Sequence, residues 1–291
     1  MIPDDFGWKK YVKLNPDIAS YVQNKKQAID HYLQYGIREN RKYNKKWQHK
    51  IESIQKQHLP TYTNQEKIYS ENKNILIVIV SCRKNIHLWN EIKSRTNNKM
   101  IILCGLNYEK NAYNLNTNTT HYNQDEQVLY LNCDDGYAGL PEKMVLAIEY
   151  ILKNFQDITH ILKIDDHDTY FTNENIQNLY KIGELDYYHY IGQKLCCFKE
   201  PGTSNWHFGK IFYDNPWNEK LGKIPAISYF DGGCTYILSK HAMEIINSVY
   251  NSNDIHQIRN NEIFEDAMIG KIMHNNNIKS ALVNYFIKGD K

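Results

Sequence analysis

No stretch of this chain reaches about 18 consecutive apolar residues, so nothing in it reads as a membrane span. The longest strongly apolar run, residues 75–80, has the length of a strand. An excess of charge of one sign is also missing. The 35 Lys and Arg stand against 33 Asp and Glu, for a net charge of +2, which gives no case for a nucleic-acid binder. Residues 1–10 are polar and hold two aspartates, unlike a secretory leader. The six cysteines (Cys82, Cys104, Cys133, Cys196, Cys197 and Cys234) show no C-x-x-C spacing, which argues against structural zinc. They sit mostly in strand-like apolar runs and read as buried free thiols in a reducing compartment.

What the chain does have is a run of negative charge at the end of an apolar strand. In Ile161-Leu-Lys-Ile-Asp165-Asp166-His167-Asp168, three acids and a histidine follow the strand within four positions. Carboxylates so close repel one another, and a hard divalent cation bound to their oxygens relieves the repulsion. In an open α/β sheet, the carboxyl ends of the strands are also where ligands bind. The same residue types suit a solvated acidic turn capping the next helix. A metal–nucleotide site gains ground only from the rest of the chain.

Residues 1–50 read as a small module of short helices over 8–14, 17–22 and 25–35, with Asn15-Pro16-Asp17 as a turn and Gly36 as a stop. Its basic residues, among them Lys9, Lys10, Lys25 and Lys26, fit a solvated helical face. Residues 51–74 read as a polar linker. From 75 onward, strand patterns alternate with helical ones, the mark of an α/β domain with a mostly parallel sheet over 75–291. The strands are expected at 75–80, 100–104, 127–132, 158–164, 187–192, 235–238 and 280–285. The helices are expected at 86–96, 140–154, 173–182, 239–249 and 266–275. Near-continuous aliphatics in 75–80 indicate a strand buried on both faces. The wealth of Asn, Lys, Ile and Tyr points to an AT-rich coding genome, such as that of a large DNA virus or an intracellular parasite.

Three more segments carry chemistry. Arg83 ends the first strand and Arg95 the next helix, positions that suit a diphosphate or a base. Asp231-Gly232-Gly233 offers a turn a ligand can approach closely, with Trp206 upstream as a stacking surface. Glu265-Asp266 opens a helix, where acids complement the macrodipole and where one of them can also serve as a general base.

In this order, over roughly 75–285, these pieces resemble the β1,3-galactosyltransferase/Fringe-type family of inverting glycosyltransferases. The family's Lys-x-Asp-Asp-Asp-x-Tyr/Phe motif is similar to Lys163-Ile-Asp165-Asp166-His167-Asp168-Thr-Tyr170. Its Asp-x-Tyr-x-Asn-Leu-x-x-Lys block resembles Asp135-Gly-Tyr137-Ala-Gly-Leu140-Pro-Glu-Lys143. Its Gly-x-Gly-Tyr-Val-Leu-Ser block resembles Gly232-Gly-Cys-Thr-Tyr236-Ile-Leu-Ser239, and its Glu-Asp-Val-x-x-Gly block matches Glu265-Asp266-Ala-Met-Ile-Gly270. His167 departs from the family pattern by splitting the aspartate triplet.

The resemblance implies a GT-A type fold, with a Rossmann-like, mostly parallel sheet flanked by helices beside the small N-terminal α-helical module. It implies a UDP-sugar donor and a glycan or glycoprotein acceptor. Asp166 and Asp168 would hold Mn²⁺ or Mg²⁺ against the diphosphate, and Asp266 would deprotonate the acceptor. Arg83, Arg95, Lys143 and Asp165 would contact the nucleotide. Asp231, Gly232, Gly233, Trp206 and Glu265 would shape the donor pocket. Family members often add a late histidine ligand, for which this chain offers His256 and His274. The family's eukaryotic members are usually membrane-anchored; with no anchor here, the expectation is a cytoplasmic protein, in a host cell or a virion. A metal-dependent phosphohydrolase or nuclease, and a non-catalytic carbohydrate-binding protein, are the competing functions. The N-terminal pattern Asn15-Pro16-Asp17 … His31-Tyr32-x-x-x-Gly36-x-x-Glu39-x-Arg41 resembles a helical repeat found beside some microbial glycosyltransferases and suggests acceptor or partner docking.

Overall fold

The computed structural model describes residues 6–19, 21–32, 73–107, 119–167, 171–197, 202–203, 223–224, 227–283 and 285. The chain divides into two compact units, residues 1–63 and 64–291.

In the first unit, α1 (Trp8–Leu14), a 3₁₀ turn (Pro16–Ile18) and α2 (Lys25–His31) enclose a small core of Tyr11, Ile18, Val22, Ala28 and Tyr32. The helix expected over 17–22 is observed as this short turn, with Pro16 at its first position, where the missing N–H costs nothing. The Asn24 side chain caps α2 by accepting from the Gln27 N–H at 3.0 Å. Tyr11 Oη and His31 Nδ1 lie 2.9 Å apart and join the two helices. The expected continuation of α2 to residue 35, the Gly36 stop and most of the linker lie outside the described residues.

The second unit is built on an eight-stranded, mostly parallel sheet with helices on both faces. Its strands are β1 (Ile75–Val80), β2 (Met100–Asn107), β3 (His121–Asn123), β4 (Val128–Asp134), β5 (His160–Asp165), β6 (Tyr190–Gly192), β11 (Tyr236–Ser239) and β12 (Ser280–Leu282). The order across the sheet is β12-β6-β11-β5-β1-β2-β4-β3. Only β3 and β11 run against their neighbours. Two small ladders stand apart from the sheet, β7 (Leu195–Cys197) with β10 (Ser228–Phe230) and β8 (Gly202–Thr203) with β9 (Lys223–Ile224).

Strand β1 shows why the sheet is covered twice. Leu76, Val78 and Val80 enter one hydrophobic core, and Ile75, Ile77 and Ile79 enter the other. Alternate side chains of a strand point to opposite faces, so a continuous aliphatic run needs apolar cover on both sides. The first core packs against α4 (Leu140–Asn154), α6 (Lys240–Val249), α7 (Ile255–Asn261) and α8 (Glu265–Asn275). The second packs against α3 (Trp89–Ser94) and α5 (Asn173–Leu179). No helix among the described residues is long and apolar enough to cross a membrane.

The expectation of buried free thiols holds for part of the set and needs correction for the rest. Cys104 and Cys133 are buried, but Cys82, Cys196 and Cys234 are partly exposed. Cys82 and Cys234 fall in loop or turn segments at the strand ends rather than inside strands.

Candidate active site

Parallel strands bring their carboxyl ends to one edge of the sheet. Val80 pairs with Asp165, so the residues that follow, Ser81 and Asp166, emerge side by side. Strand β11 runs the other way, with Tyr236 opposite Lys163, so its N-terminal approach, the turn Gly232–Cys234, reaches this same edge. Glu265 and Asp266 arrive there at the N-terminus of α8, since the Gly232 N–H donates to Asp266 Oδ2 at 3.1 Å. Four segments far apart in sequence therefore meet at one place.

Asp166 is the best-held acid of the cluster. It is 4% exposed, and its Oδ2 accepts from Ser81 Oγ at 2.6 Å and Asn85 Nδ2 at 2.9 Å. Its Oδ1 lies 2.5 Å from His167 Nδ1. Ser81 Oγ in turn accepts from Trp89 Nε1 at 2.8 Å. Burial works to raise the Asp166 pKa, but the hydrogen bonds from His167, Ser81 and Asn85 outweigh it, so the carboxyl titrates below its ordinary value and carries charge at neutral pH. The histidine that interrupts the acidic triplet is thus a hydrogen-bond partner of its neighbour. Asp168 and Trp206 lie outside the described residues.

Asp165 points into the other half of the cluster, 2.6 Å from the ammonium of Lys163. That ammonium also donates to the Gly232 carbonyl at 2.9 Å and lies 3.6 Å from Glu265 Oε2. Glu265 is buried and accepts a hydrogen bond from Tyr236 Oη. Asp231 caps the Gly232 turn, accepting from the Gly233 N–H at 3.1 Å and pairing with Lys194 at 2.5 Å. Burial pushes the Asp231 pKa up, and Lys194 more than offsets this, leaving it lowered. Just past the turn, the β-branched Thr235 holds φ of 82°, strain worth roughly 1–3 kcal/mol. Hydrogen bonds fix it there, its Oγ1 to Tyr285 at 2.9 Å and Gln193 Nε2 to its Oγ1 at 3.2 Å.

Asp266 differs from its neighbours. It is partly exposed, its Oδ1 accepts from the Ala267 N–H at 2.8 Å, and its Oδ2 holds Gly232. Burial first, then the charges of Glu265 and Asp231, push its pKa up to about 7. A carboxyl near 7 that solvent can reach is suited to take a proton at neutral pH.

The residues expected on the nucleotide have varied surroundings. Arg83 is exposed at the edge, and its backbone N–H donates to Asp135 Oδ2 at 2.7 Å. Arg95 pairs with Glu91 at 3.0 Å and lies over the Phe171 ring, 5.6 Å from its centroid. The expectation that Lys143 contacts the nucleotide is corrected by its burial. It is 1% exposed and donates to Asp135 Oδ1 at 2.9 Å and to the Ser81 carbonyl at 2.6 Å. Burial would lower its pKa, but Asp135 keeps it raised, so it remains an ammonium beneath the strand ends. The spacing from Asp135 to Lys143 is the spacing of this buried ion pair.

Among the described residues, neither late histidine gathers with other candidate ligands into a metal site. His274 lies in the last turn of α8, about 12 Å along the axis from Asp266. His256 lines an open groove of about 340 Å³ with Asn132, Leu146 and Ser252. Sequence reasoning missed Lys163, Asn85 and Lys194 as site residues. The available signal for Lys163 was a charged residue inside an apolar strand, at the start of the acidic motif.

A family model described as Galactosyltransferase matches residues 81–283. Among solved structures, the 4-diphosphocytidyl-2C-methyl-D-erythritol synthase of Anaerococcus prevotii aligns with 12% identity, over 75% of this chain and 90% of that one, at a TM-score of 0.35. The glycosyltransferase GlyE of Streptococcus pneumoniae aligns with 13% identity, over 73% of this chain and 46% of that one, at a TM-score of 0.32. No curated protein matches.

Proposed function

Because this chain belongs to the galactosyltransferase family, we propose that it is an inverting glycosyltransferase that moves a sugar from a UDP-sugar to a hydroxyl of a glycan or glycoprotein acceptor. The observation that carries this reading is the placement of Asp266, partly exposed at the start of α8 and hydrogen-bonded to the Gly232 turn, on the sheet edge that also holds Asp166. Asp266 takes the proton of the acceptor hydroxyl as its oxygen attacks the anomeric carbon. The bond from that carbon to the diphosphate oxygen breaks on the opposite face, UDP leaves, and the configuration inverts. General-base help of this kind is typically worth about 10²–10⁴ in rate.

The charge and position of Asp166 suit a hard cation such as Mn²⁺ or Mg²⁺. Among the described residues no group of three or more His, Cys, Asp or Glu side chains gathers as a ready metal site. The remaining places would fall to Asp168, water and the phosphate oxygens of the substrate. Bound there, the cation would neutralise charge developing on the departing diphosphate, a Lewis-acid role. Asp231, Gly232 and Gly233 would line the sugar pocket, and Arg83, exposed at the same edge, would face the nucleotide.

The test is transfer from a panel of UDP-sugars to glycan acceptors, with and without Mn²⁺, with the product anomer determined. An inverted product that needs the cation is expected. Phosphate release without sugar transfer, or a retained anomer, overturns the reading, and activity unchanged by a chelator overturns the metal role.

A further inference from the structure

Lys163 has no part in the reaction above, yet it joins more of the site than any acid does. Its side chain is 2% exposed, on a strand flanked by Leu162 and Ile164. A buried ammonium is costly unless oxygens surround it. Here the oxygens come from three elements: Asp165 at the end of β5, the Gly232 carbonyl before β11, and Glu265 at the start of α8. The Tyr236 ring centroid adds a fourth contact at 5.6 Å.

Gly232 is the central piece. Its carbonyl accepts from Lys163 and its N–H donates to Asp266, so the two peptide planes that meet at one Cα carry the lysine on one side and the acid on the other. The fit is close. A Cβ at residue 232 would stand 3.0 Å from Lys163 Nζ, 3.1 Å from Glu265 Oε2 and 3.4 Å from Asp266 Cβ.

We propose that Lys163 is a positioning residue that couples the two halves of the site. Through the backbone of Gly232 it fixes the Asp266 carboxylate, and through Asp165 it ties that geometry to the strand end carrying Asp166. The ionisable groups around Asp266 are Glu265 on α8, Asp231 in the turn, Lys163 on β5, Tyr190 on β6, Tyr229 on β10 and Cys196 on β7. Lys163 supplies the positive charge among them, so its loss moves Asp266 toward the protonated form and loosens the turn backbone at Gly232 that aims it. The kinetic part of this inference rests on Asp266 being the base; the electrostatic part does not.

The experiment follows the Asp266 carboxyl directly, by infrared difference spectra against Asp266→Asn, in the wild-type chain and in Lys163→Met. The Asp266 midpoint is expected to rise by about one pH unit or more in the Met variant. With a transferred sugar as readout, kcat is expected to fall about 100-fold while the donor KM changes less than about 3-fold, the pattern of misplacement. A folded Met variant with an unmoved midpoint and unchanged kcat overturns the proposal. If the Met variant does not fold, Lys163→Arg decides. It keeps the charge and the midpoint, but its planar fork cannot meet Gly232 and Asp165 from one atom, so kcat falls about tenfold or more. A wild-type kcat in Lys163→Arg overturns the proposal. Absence of transfer by the wild-type chain sinks the functional reading, and the infrared titration then still decides for or against Lys163.

Discussion

Ser81 donates its hydroxyl hydrogen to Asp166 at 2.6 Å while receiving the indole N–H of Trp89 at 2.8 Å. One hydroxyl therefore satisfies a buried tryptophan and helps hold a buried carboxylate charged. The pair also links the two sheet faces, because Trp89 belongs to the core under α3, while the Ser81 carbonyl takes Lys143 from α4 on the other side. Ser81→Ala leaves a buried N–H and a buried carboxylate each short of a partner. The expected cost is about 1–3 kcal/mol, which lowers Tm by several degrees in a domain of this size. Asp166 then titrates at higher pH. Its charged form contributes stability that is present at neutral pH and is lost as pH falls through the folded value, so the variant is expected to lose stability at a higher pH than the wild type. Thermal unfolding from pH 3 to 8 checks both effects.

Asp266 has the opposite sign. Its pKa is about 7 when folded, against an ordinary 3.8. Between those values the folded chain keeps the proton and the unfolded chain has released it, so raising the pH through this window destabilises the fold. Asp266→Asn is therefore expected to raise Tm above that of the wild type at pH 8, with the gap closing toward pH 4. Activity moves the other way, since a base must be deprotonated to act. Transfer by the wild type is expected to climb through about pH 7, and Asp266→Asn to lose transfer by about 10²–10⁴ while still binding UDP. A variant that transfers normally would place the base elsewhere.

How much of this was legible in the sequence depended on whether the cue was local. Strand β1 was plain because six buried aliphatics in a row have few other uses, and α4 was plain from Leu140 to Asn154 because a long periodic run begins with Pro141. Helix α7 was missed. Its seven residues are mostly polar, and it is held by the burial of Ile255 and Ile258 and by the pairing of Arg259 with Glu142, 117 positions away. Strand β3, three residues long, exists because β4 offers it an edge. In the site, the acids at the end of β5 announced themselves as a cluster. The two buried lysines did not, because their roles depend on carbonyls 62 and 69 positions distant, those of Ser81 and Gly232. The resemblance implies that Lys143 contacts the nucleotide, and the structure buries it against Asp135, a partner within the same block.

The Arg259–Glu142 pair makes a prediction about the scaffold. The two side chains are 18% and 2% exposed, and the guanidinium meets both carboxylate oxygens, with Nη2 to Oε2 at 2.8 Å. Burial pushes the Glu142 pKa up despite the arginine. Removing the cation in Arg259→Ala strands a buried carboxylate, at an expected cost of about 3–5 kcal/mol. Glu142 relieves the strain by taking a proton, which is harder at high pH, so the loss of Tm is expected to be larger at pH 8 than at pH 5. Replacing both residues with leucine is expected to restore most of the stability, because the apolar pair leaves no charge behind. A double variant as unstable as Arg259→Ala would mean that the pair is needed for its geometry.

Gly270 tests whether helix placement controls the base. Helix α8 crosses β10 so closely that a Cβ at residue 270 would overlap the Tyr229 Cβ and stand 2.9 Å from the Ser228 carbonyl. Backbone and Cβ atoms cannot rotate away, so Gly270→Ala must push the helix off the strand. Overpacking of this kind costs about 1–3 kcal/mol. Because Asp266 lies one turn earlier on the same helix, the displacement also draws its Oδ2 away from the Gly232 N–H. The expected result is a folded protein with a lower Tm, and a kcat reduced about tenfold or more at a nearly unchanged donor KM. Substitution of Gly183, which has nothing within 4 Å of its missing Cβ, serves as the control and is expected to leave kcat unchanged. Equal activity in Gly270→Ala and Gly183→Ala would show that the base tolerates movement of its helix, and that the close packing at Gly270 serves stability alone.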